Sequence, residues 1–138
     1  FESQTKDGKT YKITATNAIQ ELQQPDLLLL QKPEGMLEMD PHPLIITAED
    51  GTYNQKTQFI TLNQNVRISQ EENGEIRLES LEADLERGEM FSPHPVEAEG
   101  AYGTLHANSM RITDEGMKIT FEGPASLTIN EGFDTWVD

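Results

Sequence analysis

The chain has 138 residues, and its 25 aspartates and glutamates outnumber its 10 lysines and arginines, which gives a net charge of −15 at pH 7. This charge excludes nucleic-acid binding, which needs a positive surface to release counterions, and disfavours adsorption to anionic membranes. The mean hydropathy is −0.61, and the longest purely apolar run, Leu27 to Leu30, is far shorter than the ~20 residues that cross a bilayer.

A chain of this length forms one domain with a sizeable core. The absence of cysteine leaves the redox compartment undetermined. We predict a single β-domain over residues 1–130, followed by a tail at 131–138 that has no periodicity. The chain begins at Phe1 and not at a methionine, which is compatible with an N-terminal signal or anchor ahead of it.

The first third of the chain predicts short strands separated by breaks. Alternation indicates a strand at Tyr11 to Ala15, and the polar stretch Gln20 to Gln24 indicates a break. Leu27 to Leu30 does not alternate, so this run is expected to be covered on both faces. Pro33 to Gly35 predicts a turn, and Asp40 to Pro43 predicts a connector or sheet edge because prolines offer no amide donor.

The stretch from Ile46 to Ile68 predicts one hairpin that bends twice. Alternation through Ile46 and Ala48 breaks at Gly51, which we interpret as a corner because glycine tolerates the backbone angles of corners and bulges. In the return strand, the polar residues Asn63 to Asn65 interrupt the apolar parity and indicate a bend.

The same pattern occurs four times at a spacing of about 30 residues, which predicts stacked strand pairs over a shared core. We therefore predict an all-β, antiparallel, jelly-roll-like or solenoid-like sandwich of a dozen or more short strands, open at its edges. Each copy has an apolar residue, then a small residue two positions later, then a small or apolar residue five positions later. The copies are Ile13, Ala15 and Ala18; Ile46, Ala48 and Gly51; Leu78, Ser80 and Ala83; and Leu105, Ala107 and Met110.

The sequence offers little for catalysis. A metal site needs three or four converging ligands, but His42, His94 and His106 are the only histidines and lack the close spacing of a cupin metal site. There is no cysteine nucleophile and no Gly-x-Ser-x-Gly elbow, and Gly100 to Gly103 has the wrong spacing for a dinucleotide loop. No carboxylate pair stands out among the 25 acids. We expect no metal, no cofactor and no enzymatic activity.

Three segments together resemble the LptC family of lipopolysaccharide export. They are DGKTYKITATNA from residue 7, ITAEDGTYN followed by ITLNQNVRI from residue 46, and PVEAEGAYGTLHANSMRI with KITFEGPASLTI from residue 95. The resemblance covers residues 7–130. It implies a periplasmic domain, anchored to the inner membrane by an N-terminal helix, that receives lipopolysaccharide from the LptB, LptF and LptG transporter and passes it to LptA. A soluble LptA-like bridge protein, which shares the OstA-like repeat, is the nearest alternative.

An apolar cleft between splayed sheets would hold acyl chains, since such clefts are how proteins bind apolar ligands. A closed structural scaffold without cargo and a carbohydrate-active jelly-roll enzyme remain alternatives. The small residues Ala15 and Ala48 keep room open in such a cleft. The candidate lipid-contacting residues are Ile13, Ala15, Ile46, Ala48, Phe59, Leu78, Leu105, Met110, Ile119 and Phe121.

Glycines and strand edges give the remaining expectations. Gly8, Gly51 and Gly100 are candidate structural glycines, and Gly100 is expected at positive φ or in a tight bend. The last strand, with Leu127, Thr128 and Ile129, contains no lysine or proline and so is a poorly protected edge. The resemblance implies that LptA docks on this C-terminal edge and that LptF and LptG meet the N-terminal edge at Tyr11 to Ala15. Edge-to-edge homodimers would use the same surfaces.

Overall fold

A computed structural model describes residues 2–4, 8–101, 103–114 and 117–129, and these residues form one continuous antiparallel β-structure of fifteen strands. They contain no α-helix. The predicted all-β, antiparallel, open-edged fold is confirmed. The expected tail at 131–138 lies outside the described residues. The strands are β1 (Glu2–Gln4), β2 (Thr10–Thr14), β3 (Asn17–Glu21), β4 (Gln24–Gln31), β5 (Glu34–Leu37), β6 (Leu44–Thr47), β7 (Asp50–Asn54), β8 (Phe59–Gln70), β9 (Gly74–Asp84), β10 (Glu89–Ser92), β11 (Val96–Gly100), β12 (Gly103–Ala107), β13 (Ser109–Thr113), β14 (Lys118–Glu122) and β15 (Ser126–Ile129).

The strands divide into two layers that are joined through the long strands β8 and β9. Each of these strands pairs with different neighbours in its two halves: β8 with β7 and then β6, and β9 with β11 and then β10. Sheet I contains β1, β2, β5, β6, the second half of β8, the first half of β9, β11, β12 and β15. Sheet II contains β3, β4, β7, the first half of β8, the second half of β9, β10, β13 and β14.

The chain passes between the sheets at corners that stack on one another. The amide of Lys32 donates to the carbonyl of Glu49 at 2.9 Å, and the amide of Glu49 donates to the carbonyl of Gln64 at 3.0 Å. The predicted bend at Asn63 to Asn65 is confirmed, because Gln64 and Asn65 have φ of 67° and 51° and the β8–β9 register shifts there. Pro93 to Pro95 connects β10 to β11 and turns the equivalent corner.

Gly51 does not form a corner, contrary to the sequence interpretation. The corner lies between β6 and β7, at Ala48 and Glu49, and Gly51 is buried within β7. A Cβ at Gly51 would lie 2.6 Å from the carbonyl oxygen of Thr61 and 2.9 Å from Cδ2 of Leu62. Glycine is needed at this position because the neighbouring strand approaches closely.

The turns on the opposite side repeat one construction. Asn54 Oδ1 accepts hydrogen bonds from the amides of Lys56 and Thr57 at 2.9 and 3.0 Å, and Asp84 Oδ1 accepts one from the amide of Arg87 at 3.1 Å. Such side-chain acceptors favour turns by replacing backbone partners. Both turns lie in sheet II and form its rim, and the β8–β9 turn lies at the rim of sheet I, opposite the stacked corners.

The repeat is present, but its third copy is displaced by two residues. Ile13, Ile46 and Leu105 lie in one row of directly paired residues across sheet I, and the β9 member of that row is Ile76, not Leu78. Leu78 pairs with Val66 and lies two residues nearer the corner than Ile76.

Two local predictions near the start are wrong. The polar stretch Gln20 to Gln24 does not break the sheet, because it contains the end of β3, a two-residue turn and the start of β4. Glu34 and Gly35 belong to β5 and do not form a turn. The connector predicted at Asp40 to Pro43 is confirmed, since it joins β5 to β6.

Candidate functional site

The inner face of sheet I carries an unbroken row of apolar residues. Cross-strand partners point to the same face of a sheet, so directly paired residues form a continuous surface. Every member of the row is aliphatic or glycine, and the row runs from β2, next to the edge strand β1, to β15 at the other end of sheet I. The row is Ile13, Gly35, Ile46, Ile68, Ile76, Ala98, Leu105 and Leu127.

The inner face of sheet II carries a matching row. It starts at Leu28 in β4 and ends at Ile119 in β14, so both sheets present an apolar surface along nearly their whole width. The members are Leu28, Tyr53, Ile60, Ala83, Met90, Ile112 and Ile119. Tyr53 is buried, and burial raises the pKa of its phenol above the ordinary 10.0, with a further contribution from nearby Tyr11.

The outer face of sheet I is charged where the inner face is apolar. Arg67, Arg77, Glu97 and His106 are paired directly across neighbouring strands. The hydrogen bond from Arg77 to Glu97 raises the pKa of the guanidinium. Exposed ion pairs of this kind add little stability, so their main effect is to keep this face solvated. The inner faces, and not the outer face of sheet I, therefore offer an apolar ligand a binding surface.

Two cavities lie between the sheets. A narrow one of about 70 Å³ is lined by β2, β5 and β6 of sheet I and by β8, β9 and β10 of sheet II. A wider one of about 500 Å³ is lined by the C-terminal part of sheet I and by Ile119 and Phe121 of β14. Proteins bind small molecules in clefts of about 300–1,000 Å³, so the wider cavity has a ligand-sized volume.

Both ends of the two-layer structure leave strands with a free side. At the C-terminal end, β15 pairs only with β12, and β14 pairs only with β13, among the described residues. Leu127 and Ile129 face inward by their pairing, yet they are 61% and 48% exposed. The C-terminal end is thus an open edge that continues the apolar interior.

The N-terminal edge lies one strand further out than the sequence predicts. Tyr11 and Lys12 of β2 already pair with Ser3 and Glu2 of β1. In the part of the chain that the structure describes, the strands with a free side at this end are therefore β1 in sheet I and β3 in sheet II, not the segment Tyr11 to Ala15.

Most of the predicted lipid-contacting residues face the interior. The buried ones are Ile46, Leu78 and Met110, and the partly buried ones that pack against the core are Ile13, Ala15, Ala48, Leu105 and Phe121. Ile119 lies on the inner face at the edge strand β14 and is 40% exposed.

Phe59 is placed on the wrong face by the sequence prediction. It is 39% exposed on the outer side of β8, where it pairs with Asn54 and Asp84, and its neighbour Ile60 points inward. Leu81 was missed, although it is fully buried and lines the narrow cavity. Leu78 and Leu81 are three residues apart because β9 turns a corner between them. Leu81 therefore does not fit the two-residue alternation that predicts the inward face of a strand.

The glycine predictions have mixed outcomes. Gly8 has φ of +83°, as expected of a structural glycine. Gly100 has no positive φ, so that expectation is wrong, but it pairs with Gly103 where β11 turns into β12, so the expected tight bend is present. A Cβ at Gly100 would lie 3.6 Å from the carbonyl oxygen of Asn73. The constrained glycines nearby are Gly74 and Gly103, whose Cβ atoms would each meet a backbone oxygen at 2.1 Å.

The histidines and carboxylates do not assemble a metal site. In the part of the chain that the structure describes, no group of three or more histidines, aspartates and glutamates has metal-binding geometry. His42 lies 3.4 Å from Glu71 and 3.6 Å from Glu72 at the rim of sheet I. Within the same residues, no helix is long and apolar enough to cross a membrane.

Two antiparallel layers joined by stacked corners, open at both ends and carrying apolar rows on both inner faces, define an OstA-like β-jelly roll. The family model described as lipopolysaccharide-assembly, LptC-related, matches residues 2–125. The chain therefore belongs to the LptC-related family, and its role lies in lipopolysaccharide transport. A comparison with individually curated proteins finds no match.

Proposed function

We propose that this domain binds lipopolysaccharide through its acyl chains, held between the two sheets, and passes it from an inner-membrane transporter to a periplasmic bridge protein. The observation that carries the proposal is the pair of unbroken apolar rows that cross sheet I from Ile13 to Leu127 and sheet II from Leu28 to Ile119. A scaffold without cargo would need a filled core, and the cavity of about 500 Å³ argues against that alternative.

The charge distribution supports binding by acyl chains and not by phosphates. The chain carries a net charge of −15, which repels a phosphorylated head group. Burial of each methylene contributes about 0.8 kcal/mol, so a few ordered acyl carbons supply substantial affinity without any cation. The head group would remain in solvent or be bridged by divalent ions.

Photo-crosslinking tests the binding surface. A photoreactive residue at Ile13 or Leu105, both on the inner row, should capture lipopolysaccharide. The matched controls are Thr14 and Thr104, the neighbouring positions whose side chains alternate to the outer face. Equal capture at inner and outer positions would refute binding between the sheets.

A second variant tests the space inside. Ala48 packs partly buried against the core, so Ala48→Phe should reduce capture at Leu105 without abolishing folding. Thr47→Phe, one residue earlier on the opposite parity, is its control. Melting curves on both variants separate loss of binding from loss of structure.

We further propose that the periplasmic bridge protein LptA docks on the C-terminal edge of β14 and β15, and that LptF and LptG meet the N-terminal edge of β1 and β3. Free edges recruit strands through main-chain hydrogen bonds, and β15 carries no lysine or proline to prevent this. The same edges would serve a homodimer. The proposed location is the periplasm, as the family implies.

Proline substitution tests the C-terminal edge. Amides alternate along a strand, so one of Leu127 and Thr128 directs its amide towards β12 and the other directs it outward. Proline at the outward position should weaken the binding of LptA while leaving lipopolysaccharide capture at Ile13 intact. Undiminished LptA binding by both proline variants, each shown to be folded, would place the docking site elsewhere.

A further inference from the structure

A second row on the inner face of sheet I lies nearer the rim than the row that contains Ile46. Its residues change from bulky side chains at one end to glycines at the other. At the N-terminal end, Tyr11 pairs with Leu37 and Leu37 pairs with Leu44, and all three are buried. Leu44 pairs with Gln70, and beyond that residue the row contains only glycine until Ile129. The remaining members are Gly74, Gly100 and Gly103.

The missing side chains coincide with the wider cavity. Gly74, Gly100 and Gly103 all line the cavity of about 500 Å³, and Tyr11 and Leu37 line the cavity of about 70 Å³. Packed side chains therefore fill the space between the rims in one half of the molecule. Glycines leave that space open in the other half.

A contact between the rims separates the two halves. Lys9 Nζ lies 3.4 Å from Met117 Sδ, so the rim of β2 in sheet I touches the segment that leads into β14 in sheet II. β2 lines the narrow cavity and β14 lines the wide one. The wide cavity, which lies on the β14 side of this contact and reaches Gly74, Gly100 and Gly103, is open to solvent.

The chemistry of this opening suits hydrocarbon. Its walls are Leu105, Phe121, Leu127 and neighbouring apolar residues. Three glutamates lie at its rim, namely Glu72 and the paired Glu75 and Glu99, which share the outer parity of Arg77 and form ion pairs with it. Carboxylates at the rim repel phosphate groups, so the part of a phosphorylated glycolipid that occupies this opening is its acyl chains.

We propose that the acyl chains of lipopolysaccharide enter and leave the interior sideways, through the opening between the Gly74, Gly100 and Gly103 row of sheet I and strand β14 of sheet II. This inference rests on the proposed function and adds a route to it. Gly74 and Gly103 keep the opening wide because adjacent backbone excludes any side chain there. Gly100 is the position where a side chain fits and would project into the opening, since it shares the inner parity of Ala98.

The test uses a photoreactive residue at Leu105 in the full chain, lipopolysaccharide as the probe, and Gly100→Leu as the obstruction. We expect capture to fall about tenfold, a change of the size produced by one lost hydrophobic contact. Thr104→Leu, which adds the same side chain on the outer face of the paired strand, should leave capture unchanged. Ile119→Trp narrows the opening from the β14 side at a position that is 40% exposed, so it gives an independent obstruction if Gly100→Leu does not fold.

Capture at Leu105 that stays at the wild-type level in folded Gly100→Leu and Ile119→Trp variants overturns the sideways route and leaves the proposed function standing. Absence of capture by the wild-type chain at both Ile13 and Leu105 overturns the proposed function itself. Reduced capture in both obstructed variants, with normal capture in Thr104→Leu, supports the route.

Discussion

The Cβ position of Gly51 lies 2.6 Å from the carbonyl oxygen of Thr61, its neighbour on the adjacent strand β8. No real Cβ approaches a backbone oxygen so closely, and Leu62 leaves no space on the other side. We expect Gly51→Ala to destabilise the fold by about 1–3 kcal/mol, the usual cost of overpacking a core. Denaturant unfolding measures this difference.

Gly35→Ala is the matched control for this substitution. Gly35 also lies within a strand, in β5, and its nearest atom beyond the chain neighbours would be 4.0 Å from the new Cβ. Alanine there should be neutral or slightly stabilising because it reduces the freedom of the unfolded chain. Equal losses in the two variants would contradict the packing explanation.

A leucine pair tests which apolar residues hold the sheets together. Leu81 is fully buried between the sheets, and Leu22 at the β3–β4 turn is 95% exposed. Leu81→Ala should cost about 2–5 kcal/mol, the range for buried leucines that leave a cavity. Leu22→Ala should stay within about 0.5 kcal/mol of the wild type. Thermal unfolding of both variants at one pH makes the comparison, and a large effect at Leu22 would show that the exposed turn is covered in solution.

Tyr53 predicts the response of the fold to alkaline pH. Burial, with help from Tyr11, raises the pKa of Tyr53 above 10.0 in the folded state. The folded state thus favours the neutral phenol, so its contribution to stability is complete below pH 10 and is lost as the pH rises through the folded pKa. The melting temperature should fall above pH 10, and it should fall less steeply in Tyr53→Phe. Parallel pH profiles for the two proteins would exclude this role.

Gly74 and Gly100 predict opposite responses to the same substitution. Gly74 has φ of +99°, and its Cβ would meet the carbonyl oxygen of Glu99 at 2.1 Å. Gly74→Ala should therefore cost more than ~1 kcal/mol. Gly100→Ala should not, because its Cβ would make only an ordinary contact, at 3.6 Å from the carbonyl oxygen of Asn73. Melting temperatures of the two variants decide between this view and the sequence expectation that Gly100 is the strained residue.

Alternation along the chain was sufficient to predict the class of fold, because the inward residues of a strand recur every second position. Alternation could not decide which residue of β9 begins the third repeat. Ile76 and Leu78 share one parity, and both are apolar, so either could begin the third repeat. The deciding fact is the position of the corner, which neither a glycine nor a proline marks in β9.

In β8, two adjacent apolar residues left open in the same way which of them faces inward. Phe59 and Ile60 are both large and begin the strand, and only pairing with Tyr53 and Ala83 shows that Ile60 is the inward residue. β3 was missed because it is an edge strand with all five residues exposed, so it has no buried positions to create a pattern. The residues that line the cavity could be predicted in part. The opening beside Gly74, Gly100 and Gly103 could not, because it depends on contacts between strands that are distant in sequence.

The directly paired rows have a kinetic consequence. Neighbouring strands lie 4.7–4.9 Å apart, so an acyl chain that advances by one strand spacing exchanges one aliphatic neighbour for another of similar size. Around the middle of sheet I these successive neighbours are Ile46, Ile68 and Ile76. If acyl chains bind between the sheets as proposed, the free energy of such a chain varies little from step to step along these three positions. The bound lipid then diffuses over this stretch in either direction, and the direction of net transfer is imposed at the ends of the domain.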